Sequence, residues 1–126
     1  MPKQLPVLTG AGATGCCAPL ASEPIAGPDA VEMATAFKAL GDPVRLRLLS
    51  LIASHEGGEA CVCDLTPQFG LTGPTISHHL KVLRSAGLID CERRGTWVYY
   101  WVKPALMARL AGLLAVPADA LAGTEA

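Results

Sequence analysis

The sequence predicts a mainly α-helical fold that carries one β-hairpin, and three observations predict it. Apolar residues recur at helical spacing through most of the chain after residue 28. Glycine, proline and cap-forming residues separate these helical stretches. Two strand-like runs, rich in β-branched and aromatic residues, meet at a glycine. A chain of 126 residues is long enough to bury one hydrophobic core.

Composition sets the expected domain boundaries. Residues 1–28 are rich in glycine, proline and alanine without any period, which predicts a flexible N-terminal arm carrying Cys16-Cys17. We predict that residues 29–117 form the folded domain and that residues 118–126 form a disordered tail. No apolar run approaches the roughly 18 residues of a membrane span, and glycine and proline interrupt any signal peptide. We therefore expect a cytoplasmic protein with no membrane partner, whose cysteines are thiols.

Caps and breakers place the helices. Asp29 is expected to cap a helix that ends at Leu40, and Asp42-Pro43 to begin the second helix. The remaining elements are predicted as a loop at His55–Glu59, a short helix around Leu65–Phe69, a helix at Gly73–Ala86, strands at Leu88–Glu92 and Thr96–Val102, and a helix from Pro104 to Val116. The last helix is apolar nearly all round, so a second subunit is expected to cover it. The sequence thus predicts a homodimer, with the first and last helices as its interface.

Two helices joined by the tight turn at residues 70–72, followed by a hairpin with a basic tip, are typical of a winged helix-turn-helix. The net charge of the chain is −1, but the segment from Thr72 to Lys103 has five basic and two acidic residues. Such a local excess of positive charge points to an anionic partner. We therefore expect double-stranded DNA as the partner, with the helix after the turn as its reading helix.

The polar side of the reading helix lies opposite its apolar face and offers small donors and acceptors for bases and phosphates. The expected DNA-contacting residues are Thr72, Pro74, Thr75, Ser77, His78, Lys81 and Arg84 along this helix, and Arg93 and Arg94 at the hairpin tip. His79 falls near the buried face and is interpreted as structural. The alternative for the first group is an ordinary solvated helix face, and for the two arginines a charged turn that keeps a sheet edge soluble.

Four stretches carry a family resemblance: FKALGDPVRLRLLSLI, ACVCDL, GPTISHHLKVLRSAGLI and RRGTWVYY. Taken in this order, they resemble the ArsR/SmtB family of metal- and metalloid-responsive repressors over about residues 32–115. The resemblance implies a homodimeric repressor that binds operator DNA when it is unliganded and releases the DNA when an ion binds. We do not expect an enzyme, because no glycine-rich loop or carboxylate pair accompanies the cysteines and His78.

Cys61 and Cys63 are one residue apart, and positions i and i+2 of a regular helix lie about 200° apart. Pro67 is comfortable only in the first turn of a helix. The helix is therefore expected to begin at Asp64 or later, with Asp64 as its N-cap. Both cysteines would precede the helix, where a bent backbone can aim the two sulfurs together. The alternative is that they are two small buried apolar residues.

Two thiolates rarely complete a site for a soft ion. Arsenite and antimonite favour three sulfurs, whereas cadmium, lead and zinc take three or four. Cys16 and Cys17 lie about a dozen residues before the first expected helix and could supply the remaining sulfur ligands. The alternative interpretation is that these two cysteines are adjacent by chance in a tail without function. Cys91 stands alone and is assigned to the core.

The resemblance narrows the choice of ion. One arsenite-responsive branch of the family has a further cysteine where this chain has Thr66, and another branch combines an adjacent N-terminal pair with one cysteine of the helical domain. The resemblance therefore favours As(III) or Sb(III), held by Cys16, Cys17 and one of Cys61 or Cys63. Cd(II) or Pb(II) on all four cysteines is the alternative. A repressor that senses oxidation through the same thiols is another.

Overall fold

The computed structural model describes residues 18–116, and the chain divides into two compact units. Residues 34–104 form one unit, and residues 18–33 and 105–116 belong to the other. The helices are α1 (Gly27–Leu40), α2 (Pro43–Ser54), α3 (Val62–Leu65), α4 (Gly73–Ser85) and α5 (Pro104–Leu114). The strands are β1 (Glu59–Cys61), β2 (Ile89–Arg94) and β3 (Trp97–Val102), and short 3₁₀ turns occupy Glu56–Gly58 and Thr66–Gln68.

Caps and glycines end the helices close to where the sequence predicts. The Asp42 carboxylate accepts the backbone N–H groups of Val44 and Arg45 at 3.0 and 3.2 Å, so α2 begins at Pro43 as expected. Helix α1 begins at Gly27, three residues before the predicted first residue, because Pro28 suits the first turn of a helix. The expectation that Asp29 caps this helix is therefore wrong, since Asp29 lies in its first turn. The turn before α4 includes Gly70, whose φ of 63° is a conformation that glycine adopts readily.

Strand β1 corrects the loop that the sequence predicted at His55–Glu59. Glu59 lies in a strand that pairs with Trp101 of β3, and Cys61 pairs with Tyr99. The three-stranded antiparallel sheet has the order β1-β3-β2, with β2 and β3 forming the predicted hairpin. This sheet joins the cysteine segment directly to the hairpin.

The core of residues 34–104 is formed by apolar side chains of the helices and the sheet. Its buried members include Leu48, Ile52, Leu65, Ile76, Leu80, Leu83, Leu88 and Ile89. The fold is a winged helix-turn-helix: α3 and α4 are the two helices of the motif, and the β2–β3 hairpin is the wing.

The unit of the two chain ends contains α5 and the first half of α1. Leu110 and Leu113 of α5 and Met33 of α1 are buried. Arg109 donates two hydrogen bonds to the Glu32 carboxylate, at 2.8 and 2.9 Å, and the Leu20 N–H donates to the Leu113 carbonyl. Among the helices in the described residues, none is both long enough and apolar enough to cross a membrane.

Candidate DNA-reading surface and thiol cluster

Helix α4 is fixed at its start by Thr72. The Thr72 hydroxyl accepts the Thr75 N–H at 3.3 Å, and Pro74 occupies the first turn, where a missing N–H costs nothing. On the inner face Ile76, Leu80 and Leu83 are buried. Because these side chains pack in the core, the opposite face of α4 points toward solvent.

All nine side chains expected to contact DNA are exposed. Seven belong to α4 or its cap, and they are Thr72, Pro74, Thr75, Ser77, His78, Lys81 and Arg84. His79 is half-buried, and its Nδ1 lies 3.3 Å from a guanidinium nitrogen of Arg45, in keeping with the structural role expected for it. The exposed face thus offers hydroxyl, imidazole and ammonium groups to a partner.

The two arginines of the wing have different surroundings. Arg94 donates to both oxygens of Glu59 and to Glu92, and its guanidinium lies 4.9 Å from the centre of the Tyr99 ring. The hydrogen bonds to Glu59 and Glu92 raise the pKa of Arg94 further above its usual range. Arg93 is exposed, and within residues 18–116 it makes a single long hydrogen bond, 3.5 Å, to the Gly95 carbonyl. Arg93 is therefore the arginine of the wing left available to an outside partner.

Arg84 is also engaged. Its Nε lies 3.3 Å from a carboxylate oxygen of Asp90, at the start of β2. The pKa of Asp90 is lowered, first by the N–H of Cys91 and then by Arg84. Both side chains are about half exposed, so the ion pair is weak and can open for another anion.

The cysteine pair lies where β1 ends and α3 begins. Cys61 is the N-cap of α3: its sulfur accepts the Cys63 N–H at 3.2 Å, and the Asp64 carboxylate accepts the Cys61 N–H at 3.1 Å. This reciprocal arrangement is a capping box. The expectation that Asp64 would be the N-cap is wrong, because Asp64 is instead the third residue of the helix.

Pro67 does not prevent this earlier start. The α-helical stretch is only four residues long and passes into a 3₁₀ turn at Thr66, so Pro67 falls in the first turn of a new segment. The extended backbone of Cys61 (φ −81°, ψ 153°) lies outside the helix, and Cys63 lies inside it. The expectation that both cysteines precede the helix is therefore wrong for Cys63, whereas the expected convergence of the two sulfurs is present.

The sulfurs converge so closely that the structure joins Cys61 and Cys63 by a disulfide, with their Cα atoms 5.2 Å apart. This differs from the expectation of thiols for this pair. Their sulfur atoms and a carboxylate oxygen of Asp64 all lie within 4.8 Å of one another. Reduction of the disulfide, which takes two electrons and two protons, would leave two thiols at one place for a soft ion.

The two cysteines differ in access. Cys61 is 2% exposed, whereas Cys63 is open to solvent. Cys16 and Cys17, the other two expected ligands, lie outside the described residues. Cys91 is a free, half-buried thiol in β2, opposite Tyr100. Beyond the cysteines, His55 approaches the pair indirectly, since its Nε2 lies 3.6 Å from the Asp64 carboxylate.

Comparisons with known proteins agree with this architecture. Residues 42–90 match the family described as "Bacterial regulatory protein, arsR family". The chain is 43% identical over 84 residues to the arsenic resistance transcriptional regulator ArsR2 of Pseudomonas putida, covering 67% of this chain and 71% of the relative. Across the curated relatives it matches, the chain spans from about half to nearly three quarters of their length.

Solved structures give the same fold. A crystal structure of a possible transcriptional regulator for arsenical resistance is 30% identical, with a TM-score of 0.58, over 73% of this chain and 97% of that chain. A solution structure from Mycobacterium bovis, described as a homodimeric winged helix-turn-helix DNA-binding domain, is 32% identical with a TM-score of 0.56. It matches over 75% of this chain and 81% of that chain.

Proposed function

Because the chain belongs to the arsR family of bacterial regulatory proteins, a family of DNA-binding transcriptional regulators and not of enzymes, we propose that it is a homodimeric repressor that releases its operator when arsenite or antimonite binds its cysteine thiolates. The observation that carries the proposal is the convergence of the Cys61 and Cys63 sulfurs at the start of α3. Helix α3 leads into the reading helix through residues 66–72, which include a 3₁₀ turn.

The donor set supports a thiophilic ion. Three thiols condense with arsenite to give three As–S bonds and three molecules of water, and the pair of Cys61 and Cys63 can supply one of these thiols. For arsenite, Cys16 and Cys17 are proposed to supply the other two thiols, beside one of Cys61 or Cys63. The arsenical names of the relatives favour arsenite over cadmium or lead, for which all four cysteines would be the ligands.

The position of the sulfurs supports a route to the DNA. A ligand drawn toward Cys61 and Cys63 pulls on α3, and through the turn it shifts α4. Strand β1 provides a second route, since Cys61 pairs with Tyr99 of β3 and Glu59 holds Arg94 of the wing. Coupling free energies of 1–3 kcal/mol are typical between two such sites and would weaken DNA binding roughly 5–150-fold.

The exposed residues Thr72, Pro74, Thr75, Ser77, His78, Lys81, Arg84, Arg93 and Arg94 are proposed as the DNA-contacting set, with Arg94 and Arg84 partly neutralised by their carboxylate partners. Dimerisation is proposed through α1 and α5. Four exposed apolar side chains, Leu20, Val31, Leu114 and Val116, belong to the unit that contains α5 and support this assignment.

Thiol counting tests the ligand set. The protein is reduced with a phosphine, which has no thiol to compete for arsenite, and its reactive thiols are titrated before and after one equivalent of ion. Arsenite is expected to protect three thiols per subunit, and Cys91→Ser should leave that number unchanged. Protection of four thiols by cadmium, with none by arsenite, would transfer the proposal to the four-sulfur alternative. Full reactivity with every ion would overturn thiolate binding.

A redox-sensing repressor is the second candidate, and the Cys61–Cys63 disulfide is the observation that favours it. In that case oxidation forms one S–S bond and releases two electrons and two protons, and no ion is needed. DNA binding by reduced and diamide-oxidised protein, both free of metal, separates the two candidates. Equal affinities rule out the redox switch, whereas release on oxidation supports it.

A further inference from the structure

A groove of about 470 Å³ lies on the unit of residues 34–104, beside the outward face of α4. Its walls come from the last turns of α1, the start of α2 and the second half of α4. The side chains that carry the argument are Thr35, Lys38, Arg45, His78, Lys81 and Ser85. Lys38 and Arg45 are not among the nine residues that the sequence assigns to DNA contact.

Three of these side chains are cations without an ion-pair partner among residues 18–116. Lys38, Arg45 and Lys81 form no salt bridge with any carboxylate there. The acidic group that interacts electrostatically with Arg45 is Asp42, whose oxygen is occupied as the cap of α2. Three basic side chains therefore line the groove, and no acidic side chain is among its lining residues.

The guanidinium of Arg45 is held in place. Its Nε donates to the Ala39 carbonyl at 2.6 Å, and its Nη1 lies 3.3 Å from His79 Nδ1. A fixed guanidinium loses little conformational entropy when it binds an anion, and its planar donors match phosphate oxygens. Lys38 and Lys81 are exposed on the two sides of the groove and add two mobile ammonium groups.

We propose that this groove seats a phosphodiester group of the DNA backbone, next to the bases that α4 reads, and that Lys38 and Arg45 are DNA contacts outside the helix-turn-helix. The inference rests on the proposed function, since it assumes that α4 docks on a duplex. The positive charges of the groove complement the negative charge of a backbone phosphate. The groove is also continuous with the DNA-reading surface, because Lys81 and His78 belong both to the groove and to the exposed face of α4. The contact positions the protein on DNA without reading its sequence.

The test is the salt dependence of DNA binding, measured by fluorescence anisotropy with the full reduced chain. Each phosphate contact contributes about 0.9 to the slope of log K against log salt. Lys38→Gln is expected to lower the slope by about that amount and to weaken binding roughly fivefold at physiological salt, equally on operator and unrelated DNA. Lys103→Gln is the matched control, because Lys103 is also an exposed lysine but lies after β3, at the end of the hairpin opposite its tip.

Arg45→Lys provides a second variant that keeps the charge. It loses the fork of donors and is expected to weaken DNA binding with an unchanged slope, provided that circular dichroism shows a native fold. An unchanged slope for Lys38→Gln, while His78→Ala still weakens operator binding, would contradict the assignment of the groove as a phosphate-binding site. That result would leave the proposed function standing. Unchanged binding for Lys38→Gln, Lys81→Gln and His78→Ala together would overturn both.

Inorganic phosphate distinguishes a free anion from the DNA backbone. At matched ionic strength, phosphate and chloride are expected to displace DNA from the wild-type chain equally, because an isolated ion lacks the rest of the duplex. Displacement by phosphate alone, lost in Lys38→Gln, would show that the groove binds free phosphate and would overturn the backbone assignment.

Discussion

Arg93 and Arg94 are adjacent in sequence and have different surroundings in the structure. Sequence alone assigned both to the DNA, because nothing local distinguishes them. The distinction comes from Glu59, which is 35 residues away and reaches Arg94 only because β1 joins the sheet. A contact of that sequence separation leaves no local pattern to detect.

We expect Arg93→Ala to lower the salt slope of DNA binding by about 0.9, the value of one phosphate contact. Arg94→Ala should lower the slope less, because Glu59 and Glu92 partly neutralise its guanidinium. Anisotropy titrations over a range of salt concentrations measure both slopes. The reverse order of effects would contradict the assignment of Arg93 as the free arginine of the wing.

The Glu59–Arg94 pair also predicts a dependence of stability on pH. Hydrogen bonds from Arg94 lower the pKa of Glu59 below its ordinary value of 4.5. A lowered carboxyl pKa stabilises the fold fully above the ordinary value, and this stabilisation is lost as the pH falls through the lowered value. The urea midpoint of the wild type should therefore exceed that of Glu59→Gln near neutral pH, and the gap should close below pH 4.5. The pair is exposed, so the gap is small. A gap that is the same at every pH would refute this account.

At the scale of elements, α2, α4 and the hairpin could be predicted because their signals are local. Asp42-Pro43 and Thr72 are caps readable from sequence, and both caps are present. Strand β1 is only three residues long and forms through pairing with β3, about 40 residues later, so no periodicity reveals it. Helix α3 starts earlier than the sequence predicts because a cysteine sulfur acts as its cap acceptor, in place of the usual oxygen.

The cap of the reading helix gives a test at this scale. Thr72→Ala removes the acceptor for the Thr75 N–H and is expected to lower the free energy of unfolding by about 1 kcal/mol. Thr72→Ser keeps the hydroxyl and should stay close to the wild type. Urea denaturation followed by circular dichroism measures both. If both variants lost stability equally, the threonine methyl group would matter and the cap would not.

For the whole molecule, the family and the winged fold were predictable because several motifs occur in order along one stretch. The arrangement of the ligand site was only partly predictable. The convergence of Cys61 and Cys63 was predicted, but from a proline that was expected to delay the helix; it arises instead because Cys61 is the extended cap of α3. The partners of Cys16 and Cys17 depend on residues outside the described range. The groove of Lys38 and Arg45 was missed because three separate helices build it.

The dimer is tested by charge insertion. Leu114→Glu introduces a charge into the exposed apolar surface of the unit that contains α5, and we expect the mass in light scattering to fall from dimer to monomer. Leu46→Glu is the matched control, since Leu46 is equally exposed but lies on α2 of the other unit. Dimers in both variants, or monomers in both, would contradict the proposed interface.

Release of the operator by an ion tests the central claim most directly. Fluorescence anisotropy of the reduced protein on its own upstream DNA is followed while arsenite, cadmium and lead are titrated in parallel. We expect arsenite to release the DNA at a lower concentration than cadmium or lead, and to weaken the affinity for DNA roughly 5–150-fold. Cys16→Ser and the double variant Cys61→Ser, Cys63→Ser are each expected to abolish this response. DNA binding that no ion alters, or release by arsenite that survives the loss of both Cys61 and Cys63, would contradict the account.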